Sequence, residues 1–358
     1  MIPPPSLAGP SRSCSRSRRG RARFTSTTSS WSRNRMGIST AFVLGAGLGT
    51  RLRPLTEDRP KPLVPIFHKP LITFAFDHLR AFGVSRFIVN THHRAEAYSA
   101  LLGESGGAAE YAGCRVAFRH EPVLLDTGGG IKNIQDLVGD ESFLVFNGDV
   151  LADLAIDRLI ASHIRSGNIA TIGLRSHGGP LHVQWNPETG LMADVRNQLG
   201  LGSNLPSFLF TGVYILSPAI FDHIPAGEIT SIIPILLGLI RAGIPIGGVI
   251  LDEGTWFDLG TRESYLECHR RIAAGDLAPT YPLDRPWPEP IHPSVRLPAD
   301  VTLKGFVAIG EGATVGAGAE LHDTVLWEGA EIAPGARLES CIVRAHRHAG
   351  GDRRNADF

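Results

Sequence analysis

Short apolar runs alternate with helical patterns over residues 38–285, which predicts a sheet covered by helices. Ala41-Phe42-Val43-Leu44 and Phe143-Leu144-Val145-Phe146 are continuous apolar runs of strand length. Between them, apolar positions from Leu71 to Phe82 recur at helical spacing, and Phe87-Ile88-Val89-Asn90 follows as a further strand. Residues 154–174 repeat the alternation. We therefore expect an α/β domain with a mixed, mainly parallel sheet that binds ligands at the carboxyl ends of its strands.

The pattern changes at residue 286, where a proline-rich linker leads into a repeat of six residues. The apolar positions of the repeat are Leu303, Ile309, Val315, Leu321 and Trp327, then Ile332 and Leu338 after a slip of one residue. This period is typical of a left-handed parallel β-helix, and 286–345 has room for about two or three coils. Such a short module has little core of its own. We expect it to pack on the α/β domain or on another subunit, with 346–358 as a tail.

Charge is distributed unevenly along the 358 residues. The chain has 35 basic and 35 acidic residues, but eight of the basic ones are arginines within 1–35, a segment without acidic residues. The rest of the chain is mildly acidic, which argues against nucleic acid as a partner. Residues 1–36 resemble a targeting leader, yet they have no apolar face, and Met36 directly precedes the first strand. The alternatives are a disordered leader and a mis-assigned start, with a domain of residues 37–285 after it.

The cysteines and the hydropathy of the chain indicate where in the cell the protein is expected. The four cysteines have no paired spacing, which indicates a reducing compartment and no structural zinc. No apolar run reaches the ~20 residues that a membrane span needs. We expect a cytoplasmic protein with no membrane partner.

A glycine-rich loop follows the first strand and indicates phosphate binding. Gly45-Ala46-Gly47-Leu48-Gly49-Thr50 allows backbone N–H groups to approach phosphate oxygens, and Arg51 and Lys61 add positive charge. A P-loop needs Lys followed by Ser or Thr after its last glycine, where this chain has Thr50-Arg51. A dinucleotide-binding GxGxxG needs glycine at position 50, so a dehydrogenase is disfavoured.

Two aspartates stand at strand ends and are candidate metal ligands. Asp149 follows the turn Asn147-Gly148 after a buried strand, and Asp258 lies in Trp256-Phe257-Asp258-Leu259-Gly260-Thr261. Carboxylate oxygens are ligands that Mg²⁺ prefers. The alternative for each is to cap the following helix. Thr261 is better placed than Asp258 to cap the helix that begins near Arg262.

The order of these motifs resembles that of the sugar-1-phosphate nucleotidyltransferases. GAGLGTRLRPLT, RPKPLVP, TGGG, FNGDV, FTGVYIL and WFDLGT follow one another over residues 38–345. The resemblance implies the Rossmann-like fold of nucleotide-diphospho-sugar transferases. It also implies an enzyme that joins an NTP and a sugar 1-phosphate into an NDP-sugar and pyrophosphate. Many members of the family carry a β-helix such as the one predicted here.

The same resemblance assigns roles to individual residues. It implies that Asp149 and Asp258 bind Mg²⁺, that Arg51 holds the β- and γ-phosphates, and that Lys61 reaches the α-phosphate and the sugar phosphate. The residues implied to contact the nucleotide or the sugar are Gly45, Ala46, Gly47, Gly49, Thr50, Thr127, Gly128, Gly129, Asn147, Gly148, Thr211 and Gly212.

The substrate is divided between two subfamilies. The Glu-Lys-Pro segment usual in mannose-1-phosphate guanylyltransferases is missing between Leu191 and Thr211, and Leu125-Asp126-Thr127-Gly128-Gly129-Gly130-Ile131 resembles N-acetylmuramate-1-phosphate uridylyltransferases. We therefore favour UTP with an N-acetylated amino sugar 1-phosphate. GTP with mannose 1-phosphate is the alternative, because the β-helix is more typical of that subfamily.

Two other functions compete with the transferase. A non-catalytic regulatory subunit that binds sugar nucleotides would be expected to lack Arg51, Lys61 or one of the aspartates, and all of them are present. An acyltransferase site in the hexapeptide coils would need a longer, trimeric β-helix. A homo-oligomer formed through the module remains an expectation.

Overall fold

The computed structural model of the protein describes Met1 and residues 37–103, 109–201 and 204–358. Residues 37–358 form one compact unit. The predicted leader, apart from Met1, lies outside the described residues. The helices are α1 (Leu71–Ala81), α2 (Glu96–Leu102), α3 (Asp126–Asn133), α4 (Gln135–Val138), α5 (Ile156–Ser166), α6 (Ile232–Arg241) and α7 (Arg262–Ala273), with 3₁₀ turns at Thr50–Leu52, Lys61–Leu63 and Pro218–His223. None of these described helices has the length and apolar character needed to cross a bilayer.

A ten-stranded sheet organises the α/β part. The strands up to residue 258 are β1 (Thr40–Leu44), β2 (Pro65–Ile66), β3 (Lys69–Pro70), β4 (Arg86–Thr91), β5 (Ala109–Tyr111), β6 (Cys114–His120), β7 (Phe143–Asn147), β8 (Val150–Asp153), β9 (Ala170–Arg175), β10 (Val183–Asn186), β11 (Leu191–Val195), β12 (Ser207–Leu216), β13 (Ile246–Ile250) and β14 (Thr255–Asp258). The order across the sheet is β10-β11-β13-β9-β12-β7-β1-β4-β6-β5.

The centre of the sheet is parallel, as the apolar runs predict. Strand β1 pairs in parallel with β4 on one side and β7 on the other, with Phe42 opposite both Ile88 and Val145. All three side chains are buried. Because helices cover both faces, these strands need no polar alternation. The neighbours β4 and β7 lie on opposite sides of β1, and the connections to them diverge. A crevice is therefore expected at the carboxyl ends of these three strands.

The other half of the sheet departs from the mainly parallel prediction. Strand β12 runs antiparallel to both β7 and β9, and β10 and β11 form an antiparallel pair. Only β13 and β9 are parallel there. The short turn at 187–190 accounts for the β10–β11 pair, because it connects antiparallel neighbours but cannot make the long crossover that parallel strands require. The sheet is therefore mixed, with a parallel centre.

Short parallel strands continue through the C-terminal segment. They are β15 (Thr302–Ile309), β16 (Thr314–Val315), β17 (Glu320–Leu326), β18 (Glu331–Ile332), β19 (Arg337–Glu339), β20 (Ile342–Val343), β21 (His348–Ala349) and β22 (Asp352–Arg354). Leu303 lies opposite Leu321, and Leu321 lies opposite Leu338. Positions of the six-residue repeat thus stack on one another. The ladders run on through Arg354, beyond residue 345, where the sequence predicts a tail.

This C-terminal module, residues 302–354, shares a hydrophobic core with the α/β part. Phe306, Trp327 and Ile342 belong to one buried cluster with Leu52, Leu55, Phe74 and Tyr265. The indole N–H of Trp327 donates to the Tyr265 hydroxyl at 3.0 Å. Of the two packing partners predicted for the module, the structure shows contact with the α/β part.

His269 lies in this shared core and is held in a neutral form. Its side chain is fully buried. Nδ1 lies 2.9 Å from the Tyr265 carbonyl oxygen, and the Phe67 N–H donates to Nε2 at 3.3 Å. One ring nitrogen must therefore donate while the other accepts, which describes neutral imidazole. Burial lowers the pKa of His269 from 6.5 to about 4.

Stability should therefore fall as the pH decreases from 6.5 to 4. In that window the unfolded chain binds a proton on His269 and the folded chain does not, so protonation favours unfolding. We predict that His269→Gln lowers the melting temperature at pH 7 but flattens its decrease between pH 7 and pH 5. Thermal unfolding across this range, with the exposed-site variant His120→Gln as control, measures both. Equal pH slopes in the wild type and His269→Gln would contradict the prediction.

Candidate active site

The loop after β1 is anchored by Asn90, which stands at the end of β4. The Gly45 N–H donates to Asn90 Oδ1 at 2.8 Å, and the Ala46 N–H lies 3.4 Å from the same oxygen. A side chain on Gly45 would place its Cβ 2.6 Å from the Asn90 carbonyl oxygen. The Gly47 N–H donates to the Gly45 carbonyl oxygen at 3.0 Å. The N–H groups of Gly45, Ala46 and Gly47 are thus engaged within the protein, while Ala46 and Gly47 also line the cleft, and their contact with a nucleotide stays a prediction.

The following N–H groups are better placed for a ligand. Within the described chain, the N–H groups of Leu48, Gly49 and Thr50 have no protein partner. Gly49 adopts a φ of 60°, and the Thr56 hydroxyl donates to its carbonyl oxygen at 2.8 Å. This left-handed residue turns the chain into the 3₁₀ turn that presents Arg51. The N–H groups of Gly49 and Thr50 are therefore available for the predicted phosphate contact, which stays a prediction.

Lys61 joins the two predicted metal ligands. Its Nζ lies 2.8 Å from Asp149 Oδ2 and 3.4 Å from Asp258 Oδ1. The lysine side chain is 7% exposed, whereas the two carboxylates are 38% and 41% exposed. The ammonium thus approaches from the protein side, and the carboxylates open toward solvent. The sequence-predicted pair and its cation are brought together in one triad.

Asp149 and Asp258 are 109 positions apart in the chain, and two local backbone pairings bring them together. Gly148 donates its N–H to the Leu44 carbonyl oxygen at 3.0 Å, which joins the end of β7 to the end of β1. A Cβ on Gly148 would stand 2.5 Å from that oxygen, so only glycine fits. Strand β14 then pairs antiparallel with β8, which places Asp258 opposite Val150 and beside Asp149. Thr261, not Asp258, caps α7 by accepting from the Ser264 N–H.

Arg51 lies on the same side as this triad. Its side chain is exposed, and a Cβ on Gly260 would be 3.1 Å from its Nη1 and 3.2 Å from Asp258 Oδ2. The two groups therefore flank one glycine. Arg51, Lys61 and Asp149 all line a cleft of about 500 Å³ at the carboxyl ends of β1 and β7.

The predicted nucleotide-binding glycines of α3 have a different place. Gly128 and Gly129 are buried and pack against the backbone of residues 228–231, where a Cβ on Gly129 would lie 2.5 Å from the Glu228 carbonyl oxygen. The Gly129 N–H donates to the Thr230 carbonyl oxygen at 2.9 Å. Helix and segment approach too closely for side chains. The structure thus gives these two glycines a packing role, whereas Thr127 lines the cleft.

Thr211 and Gly212 also support the cleft from behind rather than line it. The Thr211 side chain is buried, and its hydroxyl donates to the Gly173 carbonyl oxygen at 2.8 Å. Gly212 has a φ of 74°, and any side chain there would overlap the amide of Asn147. Asn147 lines the cleft. The Thr211-Gly212 turn therefore packs against Asn147, and Asn147 in turn lines the cleft.

Three buried polar side chains absent from the sequence prediction hold the site together. Asn90 Nδ2 donates to Glu121 Oε1 at 2.8 Å, and Glu121 Oε2 accepts from the Leu125 N–H at 3.1 Å. The Tyr98 hydroxyl donates to the Gly45 carbonyl oxygen at 2.8 Å. These bonds connect the β1 loop to the start of α3. Asn90 could have been found from sequence, since it ends an apolar strand as Asn147 does.

Part of the cleft lining is apolar. Leu48 and Ile229 are 43% and 67% exposed, and both line the cleft together with Leu124. Asp126 also lines the cleft and has a φ of 62°, a backbone region that non-glycine residues rarely adopt. The cleft lining therefore combines cations and carboxylates with apolar surface.

The residues present fit a magnesium ion. Two half-exposed carboxylates converge on one cation, and hard oxygen ligands of this kind bind Mg²⁺ with substrate phosphates and water completing its shell. Over residues 37–103, 109–201 and 204–358, no group of three or more acidic, histidine or cysteine side chains is arranged to hold a metal. A metal at this site would therefore depend on the substrate for its remaining ligands.

The sequence of the chain is similar to that of known nucleotidyl transferases. Residues 40–181 match the nucleotidyl transferase family. N-acetylmuramate alpha-1-phosphate uridylyltransferase of Neisseria meningitidis is 34% identical over 228 residues, which cover 62% of this chain and 93% of that relative. Mannose-1-phosphate guanylyltransferase of Mycobacterium tuberculosis is 28% identical over 307 residues, 84% of this chain and 82% of the relative. UTP–glucose-1-phosphate uridylyltransferase of Synechocystis sp. is 26% identical over 340 residues, 85% and 86%.

Solved structures share the fold. HddC from Yersinia pseudotuberculosis superposes with a TM-score of 0.52 at 22% identity, covering 66% of this chain and 100% of that one. A putative glucose-1-phosphate thymidylyltransferase from Bacillus anthracis gives 0.55 at 20% identity, with 67% and 96% covered. At this identity the likeness concerns the fold alone. Together with the relatives and the family match, the cleft and its triad lead to one conclusion: the chain belongs to the nucleotidyl transferases, as an enzyme of the sugar-1-phosphate type.

Proposed function

We propose that the protein is a Mg²⁺-dependent enzyme that joins UTP to an N-acetylated amino sugar 1-phosphate. The observation that carries the proposal is the triad of Lys61, Asp149 and Asp258 beside Arg51, at a cleft whose lining also includes apolar side chains. Nucleotidyl transfer brings two anions together. A site for it therefore needs fixed cations, metal ligands and a place for a base, and the cleft has each of these.

The reaction is an in-line displacement at the α-phosphorus. A phosphate oxygen of the sugar 1-phosphate forms a bond to this phosphorus, the bond to the oxygen bridging to the β-phosphate breaks, and pyrophosphate leaves with that oxygen. No covalent protein intermediate is needed. Catalysis consists of positioning the two substrates and stabilising the phosphate charge.

Each group of the triad has a part in that stabilisation. Arg51 and the N–H groups of Leu48, Gly49 and Thr50 bind the β- and γ-phosphates and the leaving pyrophosphate. Lys61 orients the α-phosphate and the incoming sugar phosphate. Asp149 and Asp258 would hold Mg²⁺, which when bound neutralises phosphate charge and orients the reacting oxygens. Lys61 Nζ contacts both carboxylates, so on this proposal it would exchange these contacts for phosphate when substrate binds.

The apolar part of the cleft lining is the proposed base site. Leu48, Leu124 and Ile229 offer faces for a planar ring, and Asp126 and Thr127 offer polar edges. Relatives named for UTP support uridine, with the Neisseria relative named for an N-acetylated sugar 1-phosphate. The alternative, GTP with mannose 1-phosphate, is supported by the guanylyltransferase of M. tuberculosis, which matches 84% of this chain.

The proposal extends to the module and the compartment. We regard residues 302–354 as a left-handed β-helix, since its parallel strands stack at the spacing expected of three hexapeptides per coil. One side of it is buried against the α/β part, so the outward strands are what remains for association of copies. A cytoplasmic location agrees with the nucleotide substrates.

Replacing a carboxylate of the triad should abolish turnover while preserving the fold. Asp149→Asn and Asp258→Asn keep the side-chain shape but weaken the metal site, and we predict losses of ~10²-fold or more in kcat. Pyrophosphate release measures activity, and calorimetry of Mn²⁺ binding in the presence of NTP reports on the site itself. Asp140→Asn, on the surface, is the matched control. Near-normal kcat and metal binding in both triad variants would refute the assignment.

Removing either cation should also lower activity. Arg51→Ala and Lys61→Ala take away fixed counter-charge from the phosphates, and we expect kcat/KM for the NTP to fall ~10²-fold or more. Lys61→Ala should be the less stable of the two, because it leaves two neighbouring carboxylates without their shared ammonium. The exposed Arg115→Ala serves as control. If Arg51→Ala releases pyrophosphate at the wild-type rate, the loop does not bind the triphosphate.

The substrate pair is decided by a matrix of assays. Each of the four NTPs is combined with N-acetylmuramate, N-acetylglucosamine, glucose and mannose 1-phosphates, and pyrophosphate release is measured. We expect the highest kcat/KM with UTP and an N-acetylated sugar. A strong preference for GTP and mannose 1-phosphate would overturn the substrate proposal and leave the reaction class intact.

A further inference from the structure

The segment between the two proposed catalytic cations is held by the C-terminal module. Residues 53–60, named here the bridging loop, connect Arg51 to Lys61. Arg344 of the module is 9% exposed, and its Nη1 donates to the Pro54 carbonyl oxygen at 3.0 Å. The same nitrogen lies 3.2 Å from the Glu57 carboxylate and 2.8 Å from that of Asp58. One guanidinium thus contacts three residues of the loop.

Arg344 is itself fixed in place. Its Nε donates to the Phe358 carbonyl oxygen at 2.9 Å, and the Phe358 N–H donates to the Ile342 carbonyl oxygen at 3.0 Å. Ile342 lies in the shared core. The guanidinium is therefore a rigid fork, tied to the module at one edge and to the bridging loop at the other. Arg347 adds a second, half-exposed contact to Asp58 at 3.1 Å.

The module holds the other end of the loop as well. Arg59 forms an ion pair with Glu328, and its guanidinium lies 4.9 Å from the centroid of the Trp327 ring. Trp327 is fully buried and hydrogen-bonded to Tyr265. Only Pro60 separates Arg59 from Lys61. Both ends of the loop, next to Arg51 and next to Lys61, are thus anchored to the same module.

The contacts of Arg344 are expected to affect the reaction rate more than the stability of the fold. The loop carboxylates of Glu57 and Asp58 are 52% and 51% exposed, so water solvates them if Arg344 is removed. Ion pairs with such exposed partners contribute little to stability. In contrast, a displacement of a catalytic group by about 1 Å lowers rates by up to ~10²-fold. The contacts of Arg344 therefore matter more for where Arg51 and Lys61 lie than for whether the chain folds.

We propose that Arg344 is a positioning residue of the transferase reaction, through which the C-terminal module fixes the bridging loop and with it Arg51 and Lys61. This rests on the proposed function, because it assumes that both cations act on the phosphates. The module is then a working part of the active site, although none of its residues lines the cleft among those described.

The test compares Arg344→Ala with Arg337→Ala. Arg337 belongs to the same module and pairs with Glu320 at 3.3 Å, and its side chain is 65% exposed. With the best substrate pair, we expect Arg344→Ala to lower kcat by about 10- to 100-fold. Its melting temperature should stay within about 4 °C of the control. Arg344→Lys keeps the charge but not the fork, and should recover only part of kcat.

A second variant approaches the contact from the loop and exposes no core. Glu57→Gln combined with Asp58→Asn removes both carboxylates and should lower kcat in the same direction, even if Arg344→Ala fails to fold. Hydrogen exchange should become faster in residues 53–60 and remain unchanged in 302–343. Wild-type kcat in this double variant, or a loss of kcat in Arg344→Ala that disappears once corrected for the folded fraction, would overturn the inference. Absence of pyrophosphate release by the wild type would instead refute the proposed function.

Discussion

Two carboxylates converge on one ammonium at the mouth of the cleft, and much of the α/β part serves to bring them there. Asp149 and Asp258 would repel each other at this separation without Lys61 between them. Their approach depends on the pairing of β14 with β8 and on the tight contact of Gly148 with β1. The same arrangement is suited to phosphate. Under the proposed function, an anionic substrate would compete with the carboxylates for Lys61, and a divalent ion would take the place of the ammonium beside them.

Glycine has two functions in this site, and they cannot be told apart from sequence. At Gly49 the chain needs a positive φ to turn Arg51 toward the cleft. At Gly45, Gly129 and Gly148 the backbone of a second element lies where a side chain would be. A glycine-rich motif predicts close approach of something to the backbone. Whether this is a phosphate or another strand depends on tertiary pairing, which the motif does not encode.

The predictions succeeded where one stretch of sequence determines its own environment. Apolar runs such as those at 41–44 and 143–146 became buried central strands, and the strand-end residues Asp149 and Arg51 line one cleft. Three things were beyond reach. The antiparallel pairing of β12 with β7 and β9 joins strands distant in sequence, the contacts of Glu121 and Tyr98 join separate elements, and the contact of Arg344 with Asp58 joins positions 286 residues apart. Each depends on which elements become neighbours.

The proposed function assigns phosphate chemistry and base choice to different groups of side chains, and the relatives named for different bases and sugars agree with such a division. The proposed phosphate site rests on strand ends and on the buried, hydrogen-bonded side chains of Asn90 and Glu121. A substitution of either side chain would disturb several elements at once. The proposed base site is lined by exposed side chains such as Leu48 and Ile229. Substitutions there alter the shape offered to a base without moving the backbone beneath. Under the proposed function, charge neutralisation therefore depends on buried contacts within the fold, whereas the choice of base depends on a few solvent-facing side chains.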